Sequence, residues 1–115
     1  MSQGIGTFKG VILDCAQMGD LLPFYTAILG APKFQDGDRW SVIQGQGGAV
    51  NLAAGAEATG NGIVLSVKVQ NVEEAVAHAT GAGGRIVREI KTREHEIVAY
   101  VADPAGNVLA LYQSI

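Results

Sequence analysis

The chain has 115 residues and a mass of 11.9 kDa, enough for one hydrophobic core and little more. Its formal net charge is −3, with eight basic residues scattered among eleven acidic ones, so no basic tract marks a nucleic-acid or acidic-membrane surface. Apolar residues make up 48%, yet no run approaches the ~20 that a membrane helix needs, and MSQGIGTFKG lacks the basic-then-apolar pattern of a leader; a soluble cytoplasmic protein is expected.

The single cysteine, Cys15, excludes an internal disulfide and any multi-cysteine metal site. It lies in FKGVILDCA, Phe8 to Ala16, which reads as a strand from its β-branched and apolar content. A helix should follow, with Asp20 as its cap and Pro23 in its first turn. Leu21, Phe24, Tyr25, Ile28 and Leu29 recur at helical spacing, and Gly30 ends it. Three short strands are then expected around Lys33 to Gln35, Trp40 to Gln44 and Ala49 to Ala53, set apart by the DGD and GQGG turn signals.

The second half repeats this order. GIVLSVKV, Gly62 to Val69, is a strand, and Asn71 with Glu74 three residues on is close to a capping box for a helix whose core stripe is Val72, Ala75, Val76 and Ala79. Glycines 81, 83 and 84 end that helix. Strands over Arg85 to Lys91, Ile97 to Ala102 and Val108 to Gln113 complete the half. Registered on the helix ends, Gly30 matches Gly84, Asp20 matches Glu74, Cys15 matches Val69 and Gly10 matches Val64. Registered on the final turns, Gly47 matches Gly106 and Asn51 matches Ala110. The pattern is that of a duplicated strand-helix-strand-strand-strand unit.

Three segments, FYTAILG at Phe24 to Gly30, GAGGRIV at Gly81 to Val87 and DPAGNVLAL at Asp103 to Leu111, appear in this order and spacing. With them the chain resembles the vicinal oxygen chelate superfamily, which includes glyoxalase I, bleomycin-resistance proteins and extradiol dioxygenases, from about Phe8 to Gln113. The resemblance implies an α+β fold: two βαβββ modules forming a curved, partly open eight-stranded mixed sheet with two outer helices. A single domain over 6–115 is expected, with module one at about 6–54 and module two at about 62–115. It also implies a homodimer. In metal-dependent relatives His and Glu ligands come from the first and last strand of each module. The matching positions here are Gly10, Asn51, Val64 and Ala110, of which only Asn51 has a donor atom. One neutral amide does not replace three missing ligands, and the neighbours Val11, Ile63, Leu65, Leu109 and Leu111 have none to offer, so no metal and no cofactor is expected.

Other chemistry is sparse. His78 lies outside the core stripe of its helix, and His95 sits in the mixed-charge KTREHEI hairpin, which reads as a solvated loop. Cys15 follows Asp14, whose charge disfavours a thiolate, and Asp103 reads as a turn residue. The stronger candidates for ligand contact are Asp14 and Lys68, which occupy matching positions in the two modules, with Asn51, Ser66, Trp40 and Tyr112. Together these features lead us to expect a metal-independent protein that binds a small organic molecule. Two alternatives stand beside it: a glyoxalase-like lyase or isomerase acting on a carbonyl compound through Asp14, Lys68 or His95, and a sensor or assembly module with a vestigial pocket. Nucleic acid and membrane partners are not expected.

Overall fold

The computed structural model describes residues 4–115, which form two compact units. One is Gly10–Val64; the other joins Leu65–Ile115 to the described arm up to Lys9. The units divide inside the opening strand of each module, β1 (Gly6–Cys15) and β5 (Ile63–Val69), rather than in the connection between modules.

In the first unit β1 is followed by helix α1 (Met18–Leu29) and strands β2 (Phe34–Asp36), β3 (Trp40–Gln44) and β4 (Ala49–Ala54). The strand order is β2-β3-β4-β1, antiparallel except where β1 runs parallel to β4. Helix α1 starts three residues earlier than its sequence signals suggest: Gln17 takes the N-cap position without a side-chain bond, and Asp20 lies within the first turn. The cause is Met18, 2% exposed, which is drawn under the sheet against Leu52 and Ala54 and accepts a hydrogen bond from Ser41 Oγ at 3.3 Å. Burial of one long apolar side chain outweighs a cap. Pro23 is consequently the sixth residue of the helix, inside it, where it cannot donate to the preceding turn.

The face that α1 buries also differs from the expected one. Met18, Leu21, Leu22 and Tyr25, at i, i+3, i+4 and i+7, pack on Leu13, Cys15, Val50, Leu52 and Ala54. Phe24, Ile28 and Leu29 stay exposed, Phe24 lying edge-on to Tyr25 with centroids 5.1 Å apart. Gly30 ends the helix at φ 105°, its N–H donating to Thr26 O.

The second unit continues from β5 through α2 (Val72–Gly81), β6 (Arg85–Thr92), β7 (Glu96–Ala102) and β8 (Val108–Ser114). Its order is β5-β8-β7-β6, with β5 and β8 parallel and the remainder antiparallel. Asn71 caps α2 as the sequence indicates, accepting from Glu74 N at 2.9 Å, and Gln113 Oε1 takes a further free N–H of the first turn, that of Val72, at 2.8 Å. Val72, Ala75 and Val76 sink against Val69, Ala99, Val101 and Leu111, each large side chain contributing about 1.5–3 kcal/mol on burial. Among the described residues, two α-helices and eight strands in mixed pairing thus make the α+β class that the sequence implies.

Between β7 and β8 the Asp103 carboxylate accepts from Ala105 N, Asn107 N and Asn107 Nδ2 at 2.9 to 3.0 Å while Gly106 takes φ 97°. The Asn107 bonds, side chain then backbone, hold that carboxyl below its usual range. Asp103 is a turn-former, as the DPAGN pattern reads.

Candidate functional site

Residues paired across neighbouring strands share a face, so the ladder register sorts every side chain. In the first unit the α1 side takes Leu13, Cys15, Val50, Leu52 and Ala54. The opposite, helix-free face carries two rows across the strands: Ile12, Asn51, Val42 and Phe34, and next to it Asp14, Ala53, Trp40 and Asp36. Asn51 and Trp40, both expected to contact a ligand, meet here. Trp40 Nε1–H donates to Asn51 Oδ1 at 3.1 Å and Asn51 Nδ2 donates to Val11 O at 3.2 Å. The amide therefore ties β3, β4 and β1 together with both of its polar ends. Arg39, next to Trp40 in the chain, pairs with Asp36 across the β2–β3 turn.

Asp14 sits at the end of this face, and its carboxylate is held by the segment after β4. Thr59 N and Gly60 N donate to it at 2.7 Å, Asn61 N at 3.1 Å and Thr59 Oγ1 at 3.0 Å. Burial is the largest single influence and raises its pKa, but the bonds from Thr59 and Gly60 together prevail and hold the group below 3.8. Thr59 itself is only 2% exposed. Asp14 is thus an anchor for a polar loop, a role that nothing in the strand sequence signals, because its donors lie 45 to 47 residues away.

In the second unit the α2 side takes Val67, Val69, Leu109 and Leu111. The helix-free face again carries rows across the strands. Lys68, Tyr112, Val98 and Lys91 form one, and Ser66, Ala110, Tyr100 and Arg88 the next. Ser66, Lys68 and Tyr112, the second module's candidates, are therefore neighbours on one surface whose floor is made of small side chains, with Ser66 and Ala110 buried. Burial and then the negative charge of Glu96 push the Tyr112 hydroxyl above its ordinary pKa of 10.0, so it remains a neutral donor at physiological pH. Arg88 stacks over the Tyr100 ring at 5.3 Å. The β6 cations were missed by period-two reasoning, since they recur every third residue.

The remaining candidates lie elsewhere. His95 is a solvated loop residue, its Nε2 3.6 Å from Glu94 Oε1 with both side chains more than four-fifths exposed. His78 borders a surface depression of about 450 Å³ beside Glu74, Asn71 and Thr7, which Lys68 also borders. The Cys15 thiol faces α1, where burial and then the charges of Asp14 and Asp20 raise its pKa and keep it protonated.

The fold and these two faces define a glyoxalase-like module pair. Residues 10–112 match the sequence pattern of the glyoxalase-like domain, and the chain belongs to that family, within the glyoxalase/bleomycin resistance/dioxygenase superfamily. An uncharacterized protein of Mycolicibacterium smegmatis is 28% identical over 110 residues, 93% of each chain. Among solved structures, an NAD-dependent benzaldehyde dehydrogenase from Legionella pneumophila is 17% identical with a TM-score of 0.77, covering 91% of this chain and 97% of its own. A glyoxalase/bleomycin resistance protein/dioxygenase superfamily member from Vibrio splendidus 12B01 is 18% identical with a TM-score of 0.69, covering 95% and 100%. At such identities the structures establish a shared fold.

The metal of the metal-dependent relatives does not fit the residues present. Gly10 is at φ 146°, and a Cβ there would lie 2.0 Å from Ala49 O, so no ligand side chain can be carried at that position on this backbone. Val64 and Ala110 are buried and have no donor atoms, and Asn51 has both polar atoms engaged. Among the described residues, no group of three or more His, Cys, Asp or Glu is arranged to hold a cation.

Proposed function

We propose that this protein binds a small organic molecule without a metal, on the helix-free faces of its modules. The observation that carries this reading is the state of the family's ligand positions: one is closed by backbone packing, two carry only aliphatic carbon, and the last is knitted into its own sheet. Faces of this composition favour apolar area with a few orienting polar groups, which is how organic guests are held. Trp40 and Asn51 in module one, and Ser66, Lys68 and Tyr112 in module two, are the contacts the proposal assigns. Asp14 orients the guest only indirectly, by fixing the loop at Thr59 to Asn61. Binding rather than turnover follows from the donor set, because the thiol of Cys15 is kept protonated and the His95–Glu94 pair is solvent-exposed in a loop, away from the contacts named above. The reading places the protein in the cytoplasm as a homodimer; no helix among the described residues is long and apolar enough to cross a membrane.

The test is a ligand screen by Trp40 fluorescence and thermal shift on protein dialysed against chelator, repeated with Zn²⁺, Ni²⁺ or Mn²⁺ added. Binding by the stripped protein, unchanged by the ions, is the expected result. Stoichiometric tight uptake of any of the three ions overturns metal independence, and turnover of a carbonyl compound by stripped protein replaces binding with a lyase or isomerase function. Sedimentation at micromolar concentration tests the dimer.

A further inference from the structure

The edge strand of the second unit departs from regular pairing in a way that sorts its charges. Along β6 the ladder pairs Arg85 with Ala102, Arg88 with Tyr100 and Lys91 with Val98, with one register shift between Ile86 and Arg88 and another between Arg88 and Lys91. Each shift inserts one residue into β6. Strict alternation would put Arg88 on the face opposite to Arg85 and Lys91. With the two shifts, partners two apart on β7 meet cations three apart on β6, and all three cations fall on the helix-free side. The stacking of Arg88 on Tyr100 marks that side directly.

The three basic side chains are exposed, and their β7 partners are two residues apart, so the cations follow one another at about 7 Å along the edge. Inward from them lies a surface of Val98, Tyr100, Ala102, Ala110 and Ser66. Glu96 is the one carboxylate that the register of β5, β7 and β8 places on this face among the described residues, and it sits beyond Lys91 at the hairpin end. The unit has as many acidic residues as basic ones, Glu73 and Glu74 lying on α2; on β6 itself three cations stand with one exposed carboxylate, Glu89, between Arg88 and Lys91, so the excess of cations is local.

From this arrangement we propose that the second module recognises the anionic group, carboxylate or phosphate, of a flat organic molecule whose apolar body rests on Tyr100 and the small side chains beside it. Guanidinium forks suit either oxyanion, and the aromatic surface supplies the area for the body. The inference rests on the small-molecule reading given above and adds the charge of the guest.

The probes are 2-naphthoate, 2-naphthyl phosphate and the neutral isostere 2-naphthamide, titrated into isotopically labelled protein and followed by amide shifts. At least one of the two anions should bind roughly tenfold more tightly than the amide, lose affinity as sodium chloride is raised, and shift residues 85–91 and Tyr100. Whichever anion binds better tells carboxylate from phosphate. Arg85→Gln with Lys91→Gln should abolish that preference while amide affinity stays within about twofold, and the wild-type comparison decides the matter should the double variant fail to fold. Equal affinity for amide and anions overturns the anion inference and leaves small-molecule binding standing. Binding by none of the three, alongside a failed screen, overturns both.

Discussion

Replacing Asp14 by Asn removes one charge and turns one acceptor into a donor, and the geometry says which bonds go. The amide oxygen can keep Thr59, whose N–H and Oγ1 reach Oδ1 at 2.7 and 3.0 Å. The amide nitrogen then faces Gly60 N and Asn61 N, which now donate to Oδ2 at 2.7 and 3.1 Å, so donor meets donor. Hydrogen bonds to a charged group are worth about 1.5–3 kcal/mol each; Gly60 N loses its acceptor outright while Asn61 N keeps Thr59 Oγ1 at 3.1 Å, and both residues are exposed, which leaves about 1–2 kcal/mol. With an unfolding entropy of about 2.1 cal/mol/K per residue, that lowers the melting temperature by about 4–8 °C.

The pH dependence supplies the control. A carboxyl whose folded pKa is lowered adds stability that is complete above its unfolded value, near 3.8, and is lost as the pH falls through the folded value. Melts of wild type and Asp14→Asn followed by circular dichroism should therefore differ most at neutral pH and converge as the pH falls through the lowered pKa of the folded state. A neutral-pH difference under about 2 °C, or one that persists unchanged in acid, would refute the clasp as an electrostatic anchor.

Gly10→Ala introduces a Cβ 2.0 Å from Ala49 O at a φ that only glycine tolerates well, and denaturant melts should show a loss of at least about 3 kcal/mol or no folded protein. Trp40→Phe strips the donor from Asn51 Oδ1 while keeping an aromatic ring, costing about 1–2 kcal/mol by the same measurement. Cys15 should react with a disulfide reagent at neutral pH more slowly than a free thiol and accelerate on unfolding in urea, since burial and two carboxylates oppose its ionisation; equal rates in folded and unfolded protein would remove that account. Asn51→Glu should fail to create zinc uptake and should lower stability, because the new carboxylate gains no partner ligands and Val11 O loses its donor.

The repeated strand-helix-strand-strand-strand order was legible because each element obeys its own period: Trp40 to Gln44 is found as read, and Asn71 caps its helix as the Asn-x-x-Glu spacing indicates. Errors fell where tertiary contacts override local chemistry. Asp20 has the chemistry of a cap, but a buried Met18 starts the helix sooner and rotates the stripe, leaving Phe24 and Ile28 outside. The site was legible in part. Side chains on one strand could be assigned a common face, which brought Ser66 together with Lys68; Tyr112 follows once β5 and β8 pair. What holds Asp14, and what aligns Arg85, Arg88 and Lys91, depends on a distant loop and on two one-residue register shifts, neither of which leaves a periodic trace.

The same register explains why donors are missing from the middle of these faces rather than merely substituted. Position 10 is closed by the backbone of β4, and position 51 bridges three strands through bonds that an ionic ligand would have to break. Restoring one donor at a time therefore encounters a packing cost before any coordination energy is gained, since a cation needs several donors at once. Apart from Lys68, the charged side chains lie at the margins of each face, where Asp14 meets the loop in one module and the β6 cations line the edge in the other. A guest that lies on an apolar floor and is oriented from its rim satisfies that distribution, and a centrally bound ion does not.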